Sequence, residues 1–149
     1  MPDRYVLFVC VENAGRSLMA EAIFNADRPR GWTASSAGTV PAGVPHPRTG
    51  PMLAEVGLRL PAHPPRLLTK ELVDSALLVV TMGCVDDAHC PVYLTTLKPR
   101  DWALPDPSKL NDDGFRSVRD DLVRRVHALG KELRDRDRTD VTASTERHR

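Results

Sequence analysis

A cysteine and an arginine separated by five residues stand out in the segment Cys10-Val11-Glu12-Asn13-Ala14-Gly15-Arg16-Ser17. A loop of this length, bent around the start of a helix, can turn successive main-chain N–H groups inward and bind a tetrahedral oxyanion. Arg16 can clamp two oxygens of that anion with its planar guanidinium. The same positive field favours the thiolate form of Cys10, which is the nucleophilic form. The segment therefore predicts a site where a thiolate attacks a bound oxyanion.

The other residues of the segment support this interpretation. Gly15 supplies the backbone freedom that a tight loop needs, Ser17 can donate a hydrogen bond to the thiolate, and Asn13 can bond to the loop backbone. The segment lacks the first glycine and the lysine of a nucleotide-binding P-loop. The residues predicted to bind the substrate are Val11, Glu12, Asn13, Ala14, Gly15, Arg16 and Ser17.

A Cys and an Arg at this spacing arise by chance in many proteins. Their position relative to the predicted strands and helices therefore has to distinguish a functional site from chance. Residues 5–10 form an apolar run typical of a strand buried on both faces, and residues 17–27 are typical of a helix. Residues 32–37, closed by Gly38, predict a second strand. The cysteine thus ends a strand and the serine begins a helix, within a βαβ unit.

The rest of the chain continues the alternation of strands and helices. Further strands are predicted at residues 76–81 and 100–104, and helices at 51–57, 69–74 and 117–135. This order predicts a three-layer α/β fold, with a central parallel sheet of about four strands flanked by helices. Ligands bind such sheets at the carboxyl ends of the strands. Three segments are expected to converge there, namely residues 11–17, 82–91 and 105–107.

The last helix sets the predicted domain boundary. Apolar residues at helical spacing run from Val118 to Leu133, and Ser117 with Asp120 resembles a capping box. Residues 136–149 are charged and nearly free of apolar side chains. We therefore expect one domain over residues 1–135 and a disordered tail over residues 136–149.

Composition excludes several classes of function. The chain has 149 residues and a net charge of +1, so no general positive field exists to hold a nucleic acid or an anionic membrane. No apolar run approaches the ~20 residues that span a bilayer, and no signal peptide is visible. We expect a cytoplasmic protein, working as a monomer. Its three cysteines, Cys10, Cys84 and Cys90, argue against a structural disulfide framework.

Residues 6–21, Val-Leu-Phe-Val-Cys-Val-Glu-Asn-Ala-Gly-Arg-Ser-Leu-Met-Ala-Glu, resemble the opening of the low-molecular-weight tyrosine phosphatase superfamily. They are more similar still to the thioredoxin-coupled arsenate reductases, which share that flavodoxin-like fold. The likeness covers most of residues 4–135. It continues through Ser35-Ser36-Ala37-Gly38, Val79-Val80-Thr81-Met82-Gly83-Cys84, Cys90-Pro91 and Trp102 to Pro107.

The resemblance implies a relay of three cysteines. Cys10 attacks arsenate, Cys84 then attacks Cys10 to release arsenite, and Cys90 resolves the disulfide to leave Cys84–Cys90, which thioredoxin reduces. Asp106 matches the general acid of the family's Asp-Pro motif, although an Asp-Pro turn is an equally simple explanation from sequence alone. Glutaredoxin or mycothiol systems are alternative electron donors.

Some relatives of this kind bind potassium through an Asn in the loop, a Glu on the first helix, a Ser after the second strand and an Asp further on. Asn13, Glu21 and Ser36 match the first three positions, but residues 61–65 (Pro-Ala-His-Pro-Pro) hold no carboxylate. We therefore expect no resident cofactor and treat potassium as an open question. A zinc site formed by Cys84, His89 and Cys90 fits no familiar structural pattern.

Two other functions remain open at this stage. A phosphatase acting on phosphotyrosine or small phosphate esters needs Cys10, Arg16 and Asp106 but has no use for Cys84 and Cys90. A non-catalytic metalloid-binding module would use the three thiols as soft ligands, and an arginine beside the first thiol argues against it.

Overall fold

The computed structural model describes residues 4–83, 90–96 and 99–147. Its centre is a four-stranded, wholly parallel sheet in the order β2-β1-β3-β4. The strands are β1 (Arg4–Cys10), β2 (Trp32–Gly38), β3 (Leu78–Thr81) and β4 (Arg100–Asp101). The predicted α/β fold with about four parallel strands is confirmed.

Helices cover both faces of the sheet. They are α1 (Arg16–Ala26), α2 (Thr49–Ala54), α3 (Lys70–Ser75), α4 (Val92–Thr96), a 3₁₀ helix (Pro107–Lys109) and α5 (Asp112–Arg147). One apolar cluster joins the sheet to α1, α2 and α5, and a second joins it to α3 and α4. The molecule therefore has the three layers that the sequence predicts.

Strand β1 explains why the apolar run at its position shows no alternation. Val6 and Phe8 belong to the first apolar cluster, whereas Leu7 and Val9 belong to the second. All four side chains are buried. A central parallel strand is covered on both faces, so every position in it favours an apolar side chain.

Several predicted boundaries differ from the observed ones. The strand predicted at residues 76–81 begins only at Leu78, and that predicted at 100–104 ends at Asp101. It ends there because the chain turns at once: the N–H of Leu104 donates to the carbonyl oxygen of Trp102 at 2.7 Å. The helices expected at 51–57 and 69–74 occupy residues 49–54 and 70–75, and α4 was not predicted.

The final helix is longer than the sequence predicts at both ends. It begins after Asn111, whose side-chain oxygen accepts a hydrogen bond from the N–H of Gly114 at 2.8 Å. The capping box predicted at Ser117 and Asp120 is therefore wrong, because both residues lie inside the helix. The helix also runs on to Arg147, through most of the segment expected to be a tail. Within the described residues, no helix is both long and apolar enough to cross a membrane.

Candidate active site

The loop between β1 and α1 begins at Cys10, which pairs with Gly38 at the end of the neighbouring strand. This close approach requires glycine at position 38. A Cβ atom there would lie 2.6 Å from the carbonyl oxygen of Val11 and 2.9 Å from the nitrogen of Asn13. Asn13 itself has a left-handed backbone, with φ of 52°, a conformation that asparagine tolerates better than most residues.

The segment over residues 39–49 braces the loop from outside. Its main-chain N–H groups donate to the carbonyl oxygens of the loop: Thr39 to Cys10 at 3.2 Å, Val40 to Val11 at 2.8 Å, Ala42 to Glu12 at 2.9 Å and His46 to Ala14 at 3.0 Å. In a trans peptide the C=O and the following N–H point in opposite directions. Carbonyl groups held outward therefore turn the N–H groups of the next residues toward the inside of the loop, as an oxyanion site needs.

Cys10 is 2% exposed, and polar groups surround its sulfur. The N–H of Asn13 donates to Sγ at 3.2 Å, and Ser17 Oγ lies 2.9 Å from it. Ser17 Oγ also accepts a hydrogen bond from Asn13 Nδ2 at 2.7 Å, and toward a thiolate its hydroxyl can only donate, because a thiolate carries no hydrogen. Two donors thus face the sulfur, which stabilises a thiolate. The predicted role of Ser17 agrees with this geometry, whereas the Asn13 side chain bonds to Ser17, Ser36 and the Arg66 N–H instead of the loop's own backbone.

Arg16 is buried and fixed by two carbonyl oxygens of residues that follow β3 and β4. Its Nη1 donates to Met82 at 2.8 Å and to Leu104 at 2.9 Å. The start of α1 carries no side-chain cap from Gly15, so the first main-chain N–H groups of the helix are available to an anion. Gly83 lies against the same guanidinium: with φ of +80°, it would place a Cβ only 3.1 Å from Nη1.

Asp106 caps the 3₁₀ helix and faces the same pocket. Its Oδ1 accepts hydrogen bonds from the N–H of Ser108 at 3.0 Å and from Ser108 Oγ at 2.7 Å. Burial raises the pKa of this carboxyl, but the two bonds from Ser108 and the charge of Arg16 outweigh it, so the net pKa is lowered. A bound oxyanion beside Asp106 would oppose this ionisation, because like charges favour the protonated carboxyl. That proton is what a leaving oxygen requires.

One pocket brings most of the predicted residues together. It is lined by Cys10, Glu12, Ala14, Gly15, Arg16, His46, Asp106, Pro107, Ser108 and Phe115. Val11 contributes the carbonyl group that Val40 holds, while Asn13 and Ser17 are fully buried behind the pocket. Cys10, Arg16 and Asp106, which come from three separated segments, therefore converge as predicted from the strand ends.

Two residues at the mouth of this pocket were missed by the sequence analysis. The rings of His46 and Phe115 lie with their centroids 6.0 Å apart, and the Arg48 guanidinium lies 4.9 Å over Phe115. His46 comes from a proline-rich segment that reads only as a loop, and Phe115 from the unpredicted first turn of α5. No local signal in the sequence connects these two positions.

Of the other two cysteines of the predicted relay, only Cys90 lies within the described residues, and it does not line this pocket. Cys84 lies outside the described residues, as does the His89 of the weighed zinc set. Cys90 is half-buried, with its Sγ 3.9 Å from the carbonyl oxygen of Pro91, and it packs against the apolar cluster under α3 and α4. Cys10 belongs to the opposite cluster. The two thiols thus contact different layers.

Comparison with known proteins adds the family. The sequence profile of the low molecular weight phosphotyrosine protein phosphatases matches residues 5–139. The chain belongs to this family. Family membership agrees with the site, because Cys10, Arg16 and Asp106 surround one small anion pocket at the carboxyl end of the parallel sheet.

This chain is similar to proteins whose names describe two kinds of activity. A protein of Halobacterium salinarum named as a putative arsenate reductase is 35% identical over 131 residues, which cover 85% of this chain and 90% of the relative. The thioredoxin-dependent arsenate reductase of Corynebacterium glutamicum superposes with a TM-score of 0.71 at 31% identity, over 89% of this chain but only 62% of that longer chain. An arginine phosphatase of Geobacillus stearothermophilus superposes with a TM-score of 0.78 at 25% identity, over 89% and 94% of the two chains.

Proposed function

We propose that this protein reduces arsenate to arsenite with three cysteines and takes its electrons from thioredoxin. The observation that carries the proposal is the position of Gly83. This residue directly precedes Cys84 in the sequence, and a Cβ atom added to it would lie 3.1 Å from Nη1 of Arg16, which lines the nucleophile's pocket. Cys84, the second thiol of the proposed relay, is therefore the next residue along the chain from one that lies beside Arg16.

The first step forms the bond between sulfur and arsenic. The Cys10 thiolate attacks arsenate held by the loop N–H groups and Arg16, an As–O bond breaks, and the departing oxygen takes a proton from Asp106. Arsenic is still pentavalent in this adduct. Ser17 and the Asn13 N–H, which stabilise the thiolate before attack, release it when the sulfur becomes neutral.

The later steps carry out the reduction. The Cys84 thiolate attacks the Cys10 sulfur, an S–S bond forms, the S–As bond breaks, and its electron pair leaves with arsenic as trivalent arsenite. The Cys90 thiolate then attacks Cys84 and frees Cys10 as a thiolate. The dithiol of thioredoxin reduces the Cys84–Cys90 disulfide and is itself oxidised. Cys90, which packs on the other layer from Cys10, does not have to reach Cys10 in this sequence of steps, because it attacks only Cys84.

Names of relatives support this substrate and this donor. The Halobacterium relative is named as a putative arsenate reductase, and the Corynebacterium structure as a thioredoxin-dependent one. We place the reaction in the cytoplasm, where thioredoxin keeps thiols reduced, and propose that the protein acts as a monomer.

The second candidate is hydrolysis of a phosphate ester or a related phosphoryl group. It is favoured by the likeness to an arginine phosphatase, and Asp106 could protonate its leaving group as it could the oxygen that departs from arsenate. Phosphate and arsenate have the same shape and charge, so the loop would hold either. Only the use made of Cys84 and Cys90 separates the two reactions.

The test is arsenate-dependent oxidation of NADPH in the presence of thioredoxin and thioredoxin reductase. It is applied to the parent and to Cys10→Ser, Cys84→Ser and Cys90→Ser, alongside hydrolysis of p-nitrophenyl phosphate. We expect all three variants to lose multiple turnover with arsenate, while Cys84→Ser and Cys90→Ser keep any phosphatase activity. Full arsenate turnover by either of these two would reject the relay. Phosphatase activity without arsenate reduction in the parent would establish the second candidate instead.

A further inference from the structure

A short stretch of chain, residues 46–49, lies between the anion loop and the segment that carries Asp106. The N–H of His46 and the hydroxyl of Thr49 both donate to the carbonyl oxygen of Ala14, at 3.0 and 2.7 Å. Thr49 is fully buried, so its bond to the loop is shielded from water. On this side, therefore, the stretch is tied firmly to the loop that holds the oxyanion.

The guanidinium of Arg48 binds the opposite wall of the pocket. Its Nη2 donates to the carbonyl oxygens of Pro107 and Ser108, each at 3.2 Å, and its Nη1 donates to Oδ1 of Asp112 at 3.1 Å. Pro107 and Ser108 directly follow Asp106, and Asp112 is the first residue of α5. One side chain thus holds the whole turn that leads from Asp106 into the last helix.

The turn over residues 106–110 receives little other support. The two bonds that Ser108 donates to Asp106 lie within the turn itself. In the described part of the chain, the hydrogen bonds that reach these residues from another segment all come from Arg48. Leu110 packs against the first apolar cluster, but apolar contacts have no direction. The place of the Asp106 carboxylate therefore depends on Arg48.

Arg48 is itself held in one orientation. Its guanidinium lies 4.9 Å over the ring of Phe115, which is a cation–π contact. Its main-chain N–H donates to Nδ1 of His46 at 3.2 Å, and the His46 ring lies 6.0 Å from that of Phe115. A planar guanidinium can bond to several acceptors at once, which the single nitrogen of a lysine does less well. The three side chains thus pack together at the mouth of the pocket.

Arg48 does not reach the substrate site. His46, Asp106 and Phe115 are among the described residues that line the pocket, but Arg48 is not. Its bonds go to the main chain that follows Asp106 and to Asp112, and in the described part of the chain none goes to the Asp106 carboxylate. An effect of Arg48 on the reaction therefore has to pass through the turn that it holds.

We propose that Arg48 is a positioning residue that sets the separation between Asp106 and the nucleophile Cys10. Through residues 46–49 it joins the turn of Asp106 to the loop of Cys10, so that the acid lies at the departing oxygen when the sulfur attacks. Proton transfer needs the two heavy atoms within about 2.6–3.2 Å, so a small displacement of the turn slows it. The inference rests on the proposed function in that Asp106 acts as the acid, a role that both candidate reactions share.

The experiment is a double-mutant cycle between Arg48 and Asp106. Arg48→Ala and Arg48→Lys are each made in the parent and in Asp106→Asn. The rate of the first step is measured in a single turnover with arsenate, as the loss of free Cys10 thiol. It is also measured as hydrolysis of phenyl phosphate, whose strongly basic phenolate needs a proton to leave. Calorimetry gives the affinity of each protein for inorganic phosphate.

Arg134→Ala is the matched control. Arg134 Nη2 donates to the carbonyl oxygen of Asp27 at 2.9 Å and lies 3.4 Å from its carboxylate, and neither residue lines the pocket. This change, like Arg48→Ala, removes a carbonyl bond and an ion pair between two segments. Its rates should stay within about twofold of the parent, because the bonds it loses do not hold a catalytic group.

Arg48→Ala should slow the first step about tenfold in the parent but at most about twofold in Asp106→Asn, because an acid that is absent cannot be misplaced. Arg48→Lys keeps a charge and a donor and should lose about threefold, with the same dependence on Asp106. This variant keeps the cycle readable if Arg48→Ala folds poorly. Affinity for inorganic phosphate should change by at most about twofold, since Arg48 does not contact the anion.

Three results would overturn the inference. Equal losses of rate in the parent and in Asp106→Asn would mean that Arg48 only stabilises the fold. A large loss of phosphate affinity in Arg48→Ala would make it a binding residue. An Asp106→Asn protein as fast as the parent would remove the acid that Arg48 is inferred to position. A parent that hydrolyses phenyl phosphate without reducing arsenate would reject the proposed function alone, because the cycle is then read on the ester.

Discussion

The hydroxyl oxygen of Ser17 lies 2.9 Å from the sulfur of Cys10, and both side chains are withdrawn from solvent. The two residues lie on either side of the anion loop: Cys10 is the last residue of β1, and Ser17 lies in the first turn of α1. Their contact therefore closes the loop on itself. The Ser17 hydroxyl is thereby placed to donate to the sulfur when Cys10 acts as a thiolate.

Replacing Ser17 with alanine should remove that donor without changing the charge of the site. A hydrogen bond to a charged group contributes about 1.5–3 kcal/mol, so we expect labelling of Cys10 by iodoacetamide and kcat/KM to fall about ten- to a hundredfold. Ser75→Ala, at an exposed serine of α3, is the control and should behave as the parent. Unchanged labelling of Cys10 in Ser17→Ala would mean that the hydroxyl does not act on the thiolate.

Gly38→Ala should deform the anion loop from the neighbouring strand. The added methyl group would meet the carbonyl oxygen of Val11 at 2.6 Å and the nitrogen of Asn13 at 2.9 Å, and main chain on both sides leaves little room to relax. Overpacking of this kind costs about 1–3 kcal/mol. We expect a lower midpoint in chemical denaturation and weaker binding of inorganic phosphate by calorimetry.

Gly43→Ala is the matched control for this variant. A Cβ at Gly43 would meet nothing within 4 Å, so the substitution only reduces the freedom of the unfolded chain. It should leave stability unchanged or slightly raised. Equal stability of the two variants would show that the approach of β2 to the loop tolerates a side chain.

The sequence predicts that Cys10, Arg16 and Asp106 come together because the signals for their positions are simple ones. Cys10 and Arg16 lie in one loop between an apolar strand and a helix, and the convergence of Asp106 follows from the rule that parallel strands end at one edge. The bracing of the loop by residues 39–49 could not be predicted in this way. Those contacts are main-chain hydrogen bonds, and side-chain types carry no signal for them.

His63 shows the same limit in a different form. In sequence it is one of five scattered histidines in a proline-rich stretch. Its contact with Glu21, which lies 42 positions earlier, arises only in the tertiary structure. The prediction that the last helix stops at residue 135 was wrong for a related reason. Asp137 belongs to a charged segment, but in the fold its carboxylate accepts hydrogen bonds from Arg4 of β1.

Ser108→Ala should move the pH dependence of the reaction in which Asp106 acts as acid. The serine hydroxyl helps to lower the pKa of Asp106 against the opposing effect of burial, so its removal raises that pKa. Activity requires the protonated carboxyl and is lost as pH rises through its pKa. The alkaline limb of kcat for p-nitrophenyl phosphate or arsenate should therefore shift upward, by about half a pH unit.

Ser117→Ala, at an exposed serine of α5, is the control for this shift. Its pH profile should overlay that of the parent. A profile of Ser108→Ala that moves to lower pH, or an unchanged one, would exclude Asp106 as the group that titrates on the alkaline limb.

Glu55→Gln should destabilise the protein at neutral pH but not in strong acid. Hydrogen bonds from Arg116 and Arg119 hold the pKa of Glu55 at about 2, below its ordinary 4.5, and tie α2 to α5. A carboxyl with a lowered pKa stabilises the fold above pH 4.5 and loses that contribution as pH falls toward about 2. Urea denaturation across this range should give midpoints for parent and variant that differ at neutral pH and converge in acid.

Glu71→Gln, at an exposed glutamate of α3, is the comparison for this pH series. Its midpoint should follow the parent more closely at neutral pH, because in the described part of the chain the Glu71 carboxylate does not tie α3 to another helix. Midpoints of Glu55→Gln that stay below those of the parent by a constant amount down to the acid limit would show that the carboxylate charge is not what stabilises the contact.

Asp137→Asn tests whether the folded unit extends beyond residue 135. The Asp137 carboxylate accepts hydrogen bonds from both terminal nitrogens of Arg4 at 2.8 and 2.7 Å and from Trp32 Nε1 at 3.1 Å, and these bonds lower its pKa against a small opposing effect of burial. They join α5 to β1 and β2. A neutral amide keeps only one acceptor oxygen, so we expect a loss of about 1 kcal/mol in urea denaturation.

Asp135→Asn is the control for the loss of one negative charge on α5. Asp135 pairs with Arg138 on the same helix, and in the described part of the chain it makes no bond to the sheet. A chain ending at Asp135 should lose at least as much stability as Asp137→Asn, since it lacks the whole contact. If Asp137→Asn and the shortened chain both unfold with the parent's midpoint, then residues beyond 135 add nothing to the domain, and the boundary expected from composition alone is the right one.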